Sequence, residues 1–298
     1  MKIKITLVVL ILIVLASLYL LIFSTIHKDN NYFLHLDRVN ELISNEDNLP
    51  VKIHSLKIGT GVFPCWFQVA GECNSGAIEF RVFQLVYADG TNIIIDPVHE
   101  YEQHIEWPFN KEYDKNAYNK MQEALKTASK ILITHEHFDH AGGVFRSPYF
   151  DQIKEKIVLN EKQYYSEALK DNFTKANTNK GINPVAYEKI HLIAPGVVLI
   201  DAEGHTKGNQ IIFVKMKDSK KVMFIGDIVW NAQNFEVEKG RPKLASMLMA
   251  ENSKNNNAQI KALLPFYLNN EIELIIAHDS ERISNQIASG LIKDGLYK

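Results

Sequence analysis

The densest chemistry in the chain lies in "LITHEHFDHAGG", Leu132 to Gly143, where three histidines and two carboxylates occupy six consecutive residues after an apolar run. Imidazole and carboxylate together suit zinc, and also iron, cobalt or manganese. A strand ending in this motif would turn His135 and His137 to one side, because strands alternate, so both could reach one ion. Asp139 and His140 sit just beyond, where the chain must turn into a helix, and could reach a second point nearby. The small Ala141, Gly142 and Gly143 would permit that turn. Four ligands are too few for two metals. Three other apolar runs end in a ligand-type residue: "VVLIDAEGHTKGN" with His205, "VMFIGDIVW" with Asp227 and "LIIAHDSE" with His278. Strand ends along one sheet edge are natural places to assemble a site.

The surrounding pattern supplies such edges. "VKIHSLKIGTG", "AIEFRVFQLVYADG" and "TNIIIDP" read as strands, with Asp89-Gly90 as a turn between the last two. "DKNAYNKMQEALKTASK" has helical spacing, with Met121, Leu125 and Ala128 on one face. "KILITH" and "KIVLN" read as short strands, "EKQYYSEALK" as a helix, and "GVVLIDAEG", "NQIIFVKMKD" and "KKVMFIGD" as three more strands. "EIELIIAHD" is a last strand and "ERISNQIASGLIKDG" a last helix. Hairpins mixed with strand-helix alternation predict sheets covered by helices, an α/β class.

In this order "HEHFDH", "GHTKGN", "GD" and "AHD" resemble the metallo-β-lactamase superfamily, over about residues 51–298. The resemblance implies a four-layer αββα sandwich. It assigns His135, His137 and His205 to one divalent metal, Asp139, His140 and His278 to a second, and Asp227 to a bridge between them. The ions it implies are two, zinc first, with iron, manganese or cobalt as alternatives. It implies hydrolysis by a metal-bridging hydroxide, with Asp139 as the catalytic residue that orients the nucleophile or passes a proton to the leaving group. Class B β-lactamases typically offer Cys or Ser where this chain has Asp227. The bridging Asp and the His278-Asp279 pair are more similar to acyl-homoserine lactonases and glyoxalase II-type enzymes. A lactone or related ester is the implied small-molecule substrate; a thioester, a phosphodiester, or metal binding without turnover are the alternatives. Lys207 stands where Pro is common in the family and could attract an anion. Trp230, with Phe235, Leu244, Met247 and Leu248, could line an acyl pocket or simply be core. Arg241 could meet a substrate carboxylate or form a structural ion pair. Asp279 could orient a ligand imidazole or cap a helix, and Asp96 is structural or a partner of the metal histidines. Among histidines outside the motifs, at 27, 35, 54, 99, 104 and 191, His99 and His104 are the candidates for substrate contact.

Of 298 residues 46% are apolar, and the net charge is -2 with both signs spread along the chain, so nucleic acid is a poor partner. Residues 1–28 are uncharged between Lys4 and His27, which is long enough for a membrane-spanning helix. Lys2 and Lys4 would keep the N-terminus cytoplasmic and place the catalytic domain outside, in the periplasm or beyond the cell. A cleaved signal, with Val14 and Ala16 before the cut, or a buried helix are the alternatives. Residues 29–50 read as a juxtamembrane linker with one short helix, and residues 51–298 as the hydrolase domain. Cys65 and Cys73 are either an exported pair across a short loop or two free thiols.

Overall fold

The computed structural model describes residues 2–24, 31–73 and 76–297. In chain order the strands are β1 Pro50–Val62, β2 Ala77–Tyr87, β3 Asn92–Ile95, β4 Asn110–Tyr113, β5 Lys130–Leu132, β6 Ile157–Val158, β7 Ile190–Ala194, β8 Val197–Asp201, β9 Gln210–Lys215, β10 Lys221–Phe224, β11 Glu273–Ile275 and β12 Ile292–Asp294. The helices are α1 Lys2–Ile22, α2 Leu36–Leu42, α3 Tyr101–Glu106, α4 Lys115–Thr127, α5 Phe138–Phe145, α6 Phe150–Ile153, α7 Glu161–Tyr164, α8 Glu167–Lys170, α9 Gln233–Glu236, α10 Lys243–Leu248, α11 Ser253–Asn269 and α12 Ser280–Ala288.

One sheet runs β12-β1-β2-β3-β5-β6, with β4 also paired to β1, and the second runs β11-β10-β9-β8-β7. Side-chain alternation divides the apolar residues into layers. Phe83, Leu85, Ile93 and Ile95 meet Leu199, Ile212, Val214 and Phe224 between the sheets. The opposite face of the first sheet, with Phe80, Val82 and Ile94, packs on Met121 and Leu125 of α4 and Val144 and Phe145 of α5. The opposite face of the second, with Val198, Phe213 and Met223, packs on Ile260 and Leu263 of α11. Helices therefore flank two sheets, as the αββα expectation requires. Strands buried on both faces explain why "VVLI" and "NIII" read as unbroken apolar runs.

Three local readings change. "EKQYYSEALK" is not one helix: Asn160 caps α7 with a capping box, and Ser166 caps a second start at α8. The last helix ends at Ala288, where Gly290 takes φ +80°, and Ile292 then pairs in parallel with Ile53 of β1. Residues read as a linker pack on the outer face of the second sheet: Leu34, Val39 and Ile43 join its core, and Tyr32 Oη donates to the Asp201 carbonyl at 2.6 Å.

The N-terminal apolar run forms the single helix α1, whose described side chains cover residues 6–22. Among the described residues no helix is long and apolar enough to cross a membrane, so the expected spanning helix is not supported. Residues 25–28, including His27, lie outside the described residues. The C-terminal end of α1 meets α10, where the Lys243 N–H donates to the Phe23 carbonyl at 3.0 Å.

Candidate metal centre

β5 stops at Leu132, so His135 and His137 sit on a loop rather than on an alternating strand. The loop is pinned by Asp96, at the end of β3 with φ +54°, which accepts from the Thr134 N–H at 2.7 Å and the Thr134 hydroxyl at 2.8 Å. His137 is the N-cap of α5, and Asp139 and His140 occupy its first turn. The small residues that follow serve a close approach rather than a turn. A Cβ on Gly143 would lie 2.3 Å from the Val98 carbonyl oxygen, and one on Gly142 would lie 2.6 Å from the Gln103 side chain. Only glycine lets α5 reach the segment after β3 this closely. His205 and Asp227 follow β8 and β10 through short loops, and His278 follows β11.

The seven residues converge into two groups. His135 Nε2 lies 3.1 Å from His137 Nδ1, and His205 Nε2 lies 3.0 Å from the same Nδ1. His140 Nε2 and His278 Nε2 lie 3.2 Å apart, and Asp139 Oδ2 is 3.7 and 3.4 Å from them. Asp227 stands between the groups. Its Oδ1 is 3.2 Å from both His140 Nε2 and His278 Nε2, while its Oδ2 is 3.4 Å from His205 Nε2 and 3.7 Å from His135 Nε2. Oδ1 is buried and accepts no hydrogen bond. An orphaned carboxylate oxygen facing imidazole nitrogens is what a missing cation would satisfy. The donor set, imidazole with carboxylate, is of the kind zinc takes.

The outer nitrogens are held as well. His140 Nδ1 donates to Asp96 at 2.9 Å, His278 Nδ1 to the Glu79 carbonyl at 2.8 Å, and His205 Nδ1 to Glu251 at 2.7 Å. Each bond selects the tautomer that points Nε2 inward. Burial and the neighbouring imidazoles push His137 down to about 3 and His135 well below the ordinary histidine value. Burial would also lower His140 and His278, but the carboxylates of Asp139 and Asp227 outweigh it and hold both above that value. Burial pushes the Asp139 carboxyl up, and the surrounding histidines hold Asp227 well down despite its burial.

Other candidates land differently. Trp230 Nε1 donates to Asp227 Oδ2, and its ring packs on Phe63 and His278. The Arg241 guanidinium is buried, 2.7 Å from Glu251 and 2.9 Å from the Asp227 carbonyl, where it forms an internal ion pair. Lys207 is exposed, in a surface cleft with Tyr165 and Ser166. Asp279 caps α12 and accepts from the Ala232 N–H, rather than orienting His278. His99 and His104 are buried against one another, 3.0 Å apart, under Phe80 and Tyr113. Phe235 is core, whereas Met247 and Leu248 are exposed.

A family model described as the metallo-beta-lactamase superfamily matches residues 74–278. The chain belongs to the metallo-beta-lactamase superfamily. Within this superfamily it is 30% identical over 108 residues to an N-acyl homoserine lactonase from a Bacillus species; the stretch is 36% of this chain and spans 41% of that relative's length. Its structure is similar to that of a quorum-quenching N-acyl homoserine lactone lactonase (TM-score 0.59, 19% identity, covering 80% of this chain and 96% of the other). It is also similar to a dizinc quorum-quenching lactonase solved with a product (TM-score 0.53, 14% identity, covering 78% and 92%). At these identities the structural likeness speaks for the superfamily fold.

Glu251 and the packing of one aromatic loop escaped the sequence reading, whereas the pairing inside that loop is one of the two alternatives it left open. Glu251 lies in the polar stretch "MAENSKNNN", which carries no motif. Cys65 and Cys73 are paired, closing the loop after β1 whose Phe63 and Phe67 stack and pack on Trp230. The apolar, aromatic character of that loop was visible, but its partner lies well over a hundred residues downstream.

Proposed function

We propose that the chain is a dinuclear-metal hydrolase acting on a lactone or related ester. The observation that carries this is the divided carboxylate of Asp227, one oxygen toward each group of ligands. In this reading His135, His137 and His205 hold one ion, Asp139, His140 and His278 the other, and Asp227 joins them. Two divalent ions bound there would acidify a water and polarise a carbonyl. The protein's own part is positional. Asp96, Glu79 and Glu251 aim the imidazoles. Trp230 packs on His278 and is backed by the rings of Phe63 and Phe67. Asp139 is the most exposed carboxylate of the set, its side chain 12% accessible. That position at the edge of the second group suits a side chain that would take a proton from the nucleophile and give it to a leaving alkoxide. Support for an ester ring over a β-lactam comes from Asp227 and from the partial likeness to lactonases.

A hydrolysis panel on the zinc-loaded protein tests this, with N-acyl homoserine lactones, simple lactones, thioesters, phosphodiesters and β-lactams. Lactone turnover abolished by chelation and restored by zinc is the expected result. Thioester or phosphodiester turnover without lactone turnover would move the chain to those branches, and two bound metals with no turnover would leave a binding module. The Cys65–Cys73 bridge supports a catalytic domain outside the cytoplasm, where disulfides persist. The exposed apolar side chains of α1 support its use as an anchor, with secretion after cleavage as the alternative. Fractionation of cells, with the mass of the extracted chain, decides between them.

A further inference from the structure

His205 is held by a group that no other imidazole of the centre touches. Glu251 comes from the turn between α10 and α11, and its side chain is 1% exposed. Its Oε1 accepts from His205 Nδ1 at 2.7 Å, from Arg241 at 2.7 Å and from Asn256 at 3.3 Å, and its Oε2 accepts from the Ser246 hydroxyl at 3.0 Å. A buried carboxylate survives only when paired and hydrogen-bonded, and Arg241 supplies the charge. Arg241 in turn reaches the Asp227 carbonyl and lies over the Trp230 ring, 4.6 Å from its centroid. The arrangement has a counterpart in the second group, where Asp96 holds His140. His135 has only a 3.3 Å contact with Thr134, and His137 spends its Nδ1 inward.

We propose that Glu251 is a positioning residue for the first metal: it fixes His205 as the Nδ1–H tautomer, aims Nε2 at the point shared with His135 and His137, and ties that point to the α10 segment. This rests on the metal reading given above. Removing such an outer partner costs about 10–100-fold in metal affinity.

The test is metal affinity of the full chain, measured by chelator competition, with cadmium NMR to tell the two sites apart. Asp96→Asn, which of the seven converging side chains touches His140 alone while also holding Thr134, marks the second resonance. In Glu251→Gln the first site should weaken by about 10–100-fold, with the second unchanged. Unchanged affinity at the first site, or equal weakening of both, would overturn the proposal. If Glu251→Gln does not fold, the zinc-loaded wild type still decides: proton–nitrogen correlation spectra should show His205 protonated at Nδ1, and a metal on Nδ1 would refute it. A wild-type chain that binds no metal would instead sink the metal reading itself.

Discussion

Asp227 is the residue through which the two groups fail together. Asp227→Ala should cut bound zinc below two per chain by mass spectrometry and abolish hydrolysis, while the circular dichroism spectrum survives; full activity would contradict the bridge. Asp139→Asn keeps a ligand-type oxygen but loses the proton carrier, so kcat should fall by about 10²–10⁴-fold. The two groups should also load differently with pH. In the metal-free protein His135 and His137 are held low, so they are already neutral around neutral pH and have no proton to give up. His140 and His278 are held high, so an incoming ion must displace their protons. Zinc affinity of the second group should therefore rise more steeply with pH through neutrality than that of the first. Titrations at about pH 6, 7 and 8 giving one common slope would refute this. At this scale the seven side chains that converge were legible in the sequence because each type recurs after an apolar run. Glu251 was not, because a single carboxylate in a polar loop carries no period and no spacing.

At the scale of elements, α5 does most to place the ligands, and its glycines are the reason it can. Gly143→Ala would put a methyl group onto the Val98 and Pro97 carbonyl oxygens, at 2.3 and 2.9 Å. Overpacking of this kind costs about 1–3 kcal/mol, and urea unfolding of the metal-free chain should show it; an unchanged midpoint would mean that α5 can shift freely. The long strands and α4 were readable from period and composition, and Asp114 caps α4 where the pattern begins. β7, β4 and β12 were not. β12 follows a helix whose apolar spacing runs into "GLIKDG" without a break, so only Ser289-Gly290 marks the stop.

For the whole molecule, sheets covered by helices could be expected from hairpins beside strand-helix alternation, and the αββα order from the family resemblance, but the role of residues 31–49 could not. Their composition is polar, yet Leu34, Val39, Ile43 and Leu49 are buried on the folded domain. A chain begun at residue 31 should fold as the full chain does. One begun at residue 51 should lose stability, since each such side chain contributes about 1.5–3 kcal/mol. Equal denaturation midpoints for the two would show that the segment is only draped on the surface.

The bridge between Cys65 and Cys73 closes the loop that carries Phe63 and Phe67 onto Trp230, and Trp230 holds Asp227. The oxidation history of a preparation thus reaches the ligand that joins the two groups. Protein made in a reducing cytosol and protein made through an export route would then differ in the loop that packs on Trp230, and substrate profiles from the two should be compared only after their thiols have been counted.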